Sequence, residues 1–141
     1  MIRPALIALT ALVASPALAE GDVANGEELV AKRCKSCHMI QDGDNVILKG
    51  GKTGPNLYGI VGRQAGTVDG FRYGDSLVAA GEAGLVWDQA ELSAYLEDPR
   101  KYLQAKLDDA KAKSRMSFKL RKEDERADVA AYLATVSGGG S

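Results

Sequence analysis

Nine glycines fall between positions 43 and 74 (Gly43, Gly50, Gly51, Gly54, Gly59, Gly62, Gly66, Gly70 and Gly74). They break every long hydrophobic periodicity in that stretch, so neither an amphipathic helix nor a strand of useful length reads through it. A loop region of this length is unusual inside a compact domain unless something other than polypeptide fills the middle. The 141 residues suit one domain, and 45% hydrophobic with 26% charged residues exclude a disordered chain. Eighteen Lys and Arg stand against nineteen Asp and Glu, which leaves no bulk basic charge to argue for nucleic acid.

Helical patterning flanks the loops. The first helix is expected from about residue 22 to 35, with Asp22 as N-cap and Val23, Gly26 and Val30 on one face. The second begins at Asp88, with Glu91 completing a capping box and Leu92, Tyr95 and Leu96 as its apolar stripe; Pro99 stops it. The third runs from Glu123 to Val136, with Val129, Tyr132, Leu133 and Val136 at helical spacing and three acids in its first turn. A short helix is compatible with Asp75 to Ala80. No internal repeat and no useful strand signal appears.

The ends read differently from the middle. Arg3, an apolar run through Val13 and the A-x-A pattern Ala17-Leu18-Ala19 make residues 1–19 an expected cleaved export signal. The run is too short for a membrane span, which needs about 20 apolar residues. Cleavage would leave a domain at residues 20–137 and a frayed tail at 138–141. In a bacterium such a leader sends the product to the periplasm, and no second apolar stretch would hold it in a membrane.

One motif supplies the missing filling. Cys34-Lys35-Ser36-Cys37-His38 is a C-x-x-C-H haem attachment sequence. Two thiols three positions apart can each add across one vinyl group of the same porphyrin, and the adjacent histidine is placed to bind the iron. A thioredoxin-like pair would need a βαβ context, and structural zinc usually needs four ligands where this chain offers two Cys and one His. One haem c, linked through Cys34 and Cys37, is the expected cofactor.

With His38 the only histidine, the second axial position falls to a methionine by elimination. Met39 adjoins the proximal ligand and cannot easily reach the opposite face. Met116 lies far along the chain in Lys113-Ser114-Arg115-Met116-Ser117-Phe118, and its alternative role is that of a flexible core filler.

From Gly21 to about Val136 the chain resembles a class I c-type cytochrome, closest to the bacterial cytochrome c2 and mitochondrial cytochrome c branch. The resemblance is carried by Gly21-Asp22-Val23 with Gly26, by Thr53-Gly54-Pro55-Asn56-Leu57 with Gly59 and Gly62-Arg63, and by Tyr132 at the expected crossing of the end helices. It implies an all-α cytochrome c fold, several helices and long glycine-rich loops wrapped around one covalently bound haem. It implies that the Pro55 carbonyl accepts the His38 ring N–H, that Arg63 sits near a propionate, and that Tyr73 and Trp87 hydrogen-bond the buried propionate. It further implies that Tyr95 hydrogen-bonds the sulfur of Met116, with His38 and Met116 as the iron ligands. Residues 104–115 form a longer link than in mitochondrial relatives.

The resemblance also implies a function: a soluble periplasmic one-electron carrier, a monomer and not an enzyme, taking electrons from a cytochrome bc1 complex. The acceptor would be a photosynthetic reaction centre or a cytochrome oxidase of a respiratory chain. A peroxidase or a gas-binding haem protein would instead need an open sixth position. Charge is unevenly spread. Residues 111–122 hold Lys111, Lys113, Arg115, Lys119, Arg121 and Lys122 without an acid, and Lys32, Arg33, Lys35, Lys49 and Lys52 lie near the other ligand in sequence. Residues 82–98 hold Glu82, Asp88, Glu91, Glu97 and Asp98 without a base. A positive docking face at the haem edge is the expectation.

Overall fold

The computed structural model describes residues 21–138; the expected leader at 1–19 and most of the tail at 138–141 lie outside that range. Five helices surround the loops: α1 (Val23–Arg33), α2 (Asp75–Glu82), α3 (Gln89–Glu97), α4 (Pro99–Leu107) and α5 (Glu123–Thr135). Asp22 caps α1 by accepting from the Asn25 N–H at 3.0 Å. Asp88 does the same for α3, accepting from the Glu91 N–H at 2.7 Å.

The frame is the crossing of α1 and α5. Asp128, on α5, accepts from the Asp22 N–H and from the Asn25 amide, both at 2.6 Å, which ties the first turn of α1 to the middle of α5. At the crossing itself a Cβ on Gly26 would stand 2.9 Å from the Tyr132 Cβ, so the small residue and the aromatic meet as expected. Val30 of α1, Leu92 and Leu96 of α3, and Val129 and Leu133 of α5 share one buried core. Burying aliphatic side chains of this size stabilises the fold by roughly 1.5–3 kcal/mol each.

Two elements differ from the expectation. A hairpin, β1 (Ile40–Asp42) and β2 (Asn45–Leu48), pairs antiparallel with Gln41 opposite Val46, and Gly43 takes φ +55° at its turn. A sheet of two strands was not expected, yet Ile40 is completely buried and anchors it. Pro99 does end α3 but also starts α4, because proline needs no N–H partner in the first turn of a helix. Asp98 serves both helices, ending α3 and accepting from the Lys101 N–H at 3.1 Å as the cap of α4. Residues 104–115 are therefore partly helical, ending where Asp108 turns left-handed at φ +47°.

Candidate haem site

The C-x-x-C-H motif occupies the turn that leaves α1. The Cys34 N–H still bonds the Val30 carbonyl at 3.0 Å, while the Cys37 and His38 N–H groups turn back on the Cys34 carbonyl at 3.1 and 2.9 Å. One tight turn thus presents two thiols and an imidazole to a common space. Burial pushes the Cys34 thiol up to about 11, whereas hydrogen bonds from Thr53 and Ser36 pull exposed Cys37 below the ordinary thiol value.

That space is a cavity of about 610 Å³, and the residues expected at the site converge on it. Cys34, Cys37, His38, Pro55, Arg63, Tyr73, Trp87, Tyr95 and Met116 all line its wall. Between them lie Leu57, Ile60, Phe71, Leu92, Leu103 and Leu133, an apolar lining drawn from the loops and from α3, α4 and α5. The glycine-rich stretch does wrap around a hollow.

His38 is held from behind. Its Nδ1 lies 2.7 Å from the Pro55 carbonyl, which fixes the ring plane and leaves Nε2 as the nitrogen free to bind a metal. Burial lowers the imidazole pKa and the Pro55 contact partly opposes this, so the neutral ring that binds a metal is favoured. A Cβ on Gly54 would stand 2.3 Å from His38 Cε1, and no side chain larger than hydrogen fits beside the ring. Asn56 secures this loop by bonding the Gln41 backbone twice, accepting from its N–H at 3.1 Å and donating to its carbonyl at 2.8 Å.

The far side of the chain brings the other groups. Met116 is half-buried, on a strap tied to the first turn of α2 and the segment before it: the Lys113 N–H donates to Ser76 Oγ and Arg115 donates to the Arg72 carbonyl, both at 3.0 Å. Ser114 Oγ donates to the Met116 carbonyl at 2.8 Å. Tyr95 is buried, which raises its hydroxyl pKa, and the neighbouring Ser114 hydroxyl pulls the other way. Ser114, which the sequence reading missed, thus stands between Tyr95 and the Met116 backbone. The Arg33 guanidinium covers the Phe118 ring at 5.6 Å and joins the α1 end to the strap.

The polar residues expected near propionates are placed by backbone pairing. The Trp87 N–H donates to the Arg63 carbonyl at 2.9 Å, and Gly62 donates back to the Trp87 carbonyl at 2.7 Å. Tyr73, which lines the cavity, accepts from the Val68 N–H at 3.1 Å, leaving its own proton free to donate. Trp87 and Tyr95 pack edge to face with centroids 5.0 Å apart. Tyr102, a second residue absent from the sequence reading, stacks behind Trp87 and donates its hydroxyl to Glu91. Its spacing from Tyr95 and Asp98 would have shown it only once α4 was recognised.

These residues suit a covalently bound porphyrin: two adjacent thiols, an oriented imidazole, a thioether and an apolar lining of matching extent. Among the described residues no group of three or more His, Cys, Asp or Glu gathers to hold a bare metal ion. The family described as Cytochrome c matches residues 23–137. The chain belongs to the cytochrome c family.

Relatives agree along most of its length. It is 61% identical to cytochrome c-551 of Roseobacter denitrificans over 129 residues, covering 91% of this chain and 90% of that protein. It is 53% identical to cytochrome c2 of Rhodobacter capsulatus over 126 residues, covering 89% of each. The crystal structure of ferric cytochrome c-550 from Paracoccus versutus superimposes with a TM-score of 0.79 at 49% identity, covering 84% of this chain and 99% of that one. As a class I c-type cytochrome resembling bacterial cytochrome c2, the chain carries one covalently attached haem c. It is an electron carrier and not an enzyme.

Proposed function

We propose that this cytochrome is a monomeric periplasmic carrier whose haem is ligated by His38 and Met116. It would carry single electrons from a cytochrome bc1 complex to a photosynthetic reaction centre or a terminal oxidase. The observation that supports this best is the convergence of a Pro55-oriented His38 and of Met116 on one apolar cavity that also receives both cysteines.

Haem bound there supplies exchange of one electron between ferric and ferrous iron. The protein does the rest. Cys34 and Cys37 anchor the macrocycle at the end of α1. His38 is kept neutral and aimed by Pro55, and thioether ligation by Met116 favours the ferrous state and raises the potential. Arg63, Tyr73 and Trp87 supply N–H and O–H donors for the propionates, while the apolar lining keeps water out and lowers the reorganisation that accompanies each transfer. Export by the leader at residues 1–19 places the product where c-type haem is attached.

The test uses the purified holoprotein with membranes containing bc1 complex, quinol and a chosen acceptor. Reduction that an inhibitor of the bc1 complex abolishes, followed by reoxidation by reaction centres or oxidase, is the expected result. Failure of bc1 membranes to reduce it would overturn the assignment of the donor.

A further inference from the structure

Arg126 is the one charged residue buried among the described residues, with 8% of its surface exposed. A charge is costly to bury, and hydrogen bonds from a guanidinium are among the stronger ones; of the three Arg126 guanidinium nitrogens, only Nε is buried without a partner. Arg126 lies on α5, yet its Nη1 donates away from the helix, to the Leu120 carbonyl at 3.1 Å and the Arg121 carbonyl at 2.7 Å. Its Nη2 stands 3.6 Å from Glu97 at the end of α3.

Those two carbonyls belong to the return of the strap that carries Met116. Lys119 and Leu120 are fastened on the other side to the C-terminal end of α3. The Leu120 N–H donates to the Leu96 carbonyl at 2.8 Å, and Lys119 pairs with Asp98 at 2.9 Å. Residues 119–121 are thus clamped between α3, which brings Leu92, Tyr95 and Leu96 to the cavity, and α5, which brings Val129 and Leu133. The ties on the other side of Met116 are exposed: Lys113 and Arg115, with their bonds to Ser76 and Arg72, lie in water. Exposed polar contacts hold a loop weakly, whereas charge-assisted bonds out of water hold it firmly.

We propose that Arg126 is a positioning residue for Met116. Its guanidinium, acting through the Leu120 and Arg121 carbonyls, closes the strap and keeps the thioether at the cavity. It touches neither cofactor nor ligand. This inference rests on the reading of Met116 as the distal ligand.

The test is the rate at which imidazole displaces the native distal ligand from ferric holoprotein, followed with the near-infrared sulfur-to-iron band. Arg126→Gln should speed displacement by about tenfold or more, the order expected for the loss of a charge-assisted hydrogen bond. Arg126→Lys should fall between it and the parent, because an ammonium cannot reproduce the planar fork. Lys122→Gln removes the same charge from an exposed side chain and should stay within about twofold of the parent. A merely structural role would move the rate through global unfolding, which carries the full denaturant dependence; local strap opening exposes little surface and shows a shallow one. If neither Arg126 variant folds, hydrogen exchange of the Leu120 amide in the parent decides: it should open far more often than the protein unfolds and in step with imidazole entry. A parent without the band that Met116→Ala removes would refute the ligand reading. A parent with the band, joined to a parental displacement rate in Arg126→Gln, an acceleration with full denaturant dependence, or a Leu120 amide protected to the global limit, would overturn the role of Arg126.

Discussion

A methyl group on Gly26 would stand 2.0 Å from the carbonyl oxygen of Asp128. The obstacle is the backbone of α5 and not a side chain that could swing aside, so the closeness of α1 and α5 depends on this position. Alanine would be the better helix former by about 1 kcal/mol, but forcing two packed helices apart costs about 1–3 kcal/mol and outweighs it. Gly26→Ala should therefore be less stable than the parent in denaturant titration of the holoprotein. Equal midpoints would show that the crossing can relax.

Met116→Ala should keep its covalent haem and lose the near-infrared sulfur band. Its potential should fall by an appreciable part of the roughly 0.8 V over which axial ligands tune haem iron. Visible spectra and a redox titration of the variant check this. A spectrum and potential like the parent's would remove Met116 from the ligand set.

Cys37→Ala should retain at most one thioether link, visible as a shift of the reduced pyridine haemochrome band, because no third cysteine exists in the chain. His38→Ala should yield almost no mature holoprotein. Normal yields of doubly linked haem from either variant would defeat the attachment assignment.

The parts of the fold that were legible in the sequence are those written in local signals. Asp22, Asp88 and the acidic first turn of α5 mark helix starts that the structure places within a residue or two. The hairpin was hidden because its strands are only three and four residues long, too short for alternation to show. Its Asp42-Gly43 turn looks in sequence like one more glycine interruption. α4 stays hidden in the sequence because Pro99 signals a helix end, although a proline after a capping aspartate is also a beginning. At the site, Cys34, Cys37 and His38 are adjacent in sequence and could be read directly. Met116 followed by elimination. The relation of Ser114 to Tyr95 and of Arg126 to Leu120 joins distant segments, and no spacing rule encodes it.

The Tyr102–Glu91 contact ties α4 to α3, and it responds to pH. The Glu91 carboxyl is held below its usual value by hydrogen bonds from Lys106 and Tyr102. A carboxyl depressed in the folded state contributes stability above its unfolded pKa and loses it as pH falls through the folded value. The Tyr102 hydroxyl is raised, by burial first and by Glu91 second, so its contribution is present below the unfolded phenol pKa and disappears at high pH. Tyr102→Phe should accordingly flatten both the acid and the alkaline limbs of a stability-against-pH curve. The hydroxyl's whole effect should be of order 1–2 kcal/mol at neutral pH, as for a hydrogen bond to a partly exposed charge. Unchanged limbs in thermal melts across pH would show that Glu91 is held by Lys106 alone.

The docking surface needs different probes from those that sequence position suggests. Lys119 pairs with Asp98, and Glu91 holds Tyr102 and Lys106. Reversing either would disturb the fold as well as the field. Lys35, beside the cysteines, and Lys113, which lines the cavity mouth, are exposed, as is Glu82 at the end of α2. A partner with an acidic face would be steered toward the first two, and steering of this kind speeds encounter by at least about tenfold at low salt. Lys35→Glu or Lys113→Glu should slow bimolecular electron transfer severalfold with purified bc1 complex or oxidase at low ionic strength. Added salt should shrink the gap, since screening acts over about 10 Å at 0.1 M. Glu82→Lys, which changes net charge by the same amount in the opposite sense, should barely alter the rate if position matters more than total charge. Equal and opposite effects at the two faces would mean that net charge, and not a docking patch around the cavity mouth, governs the encounter.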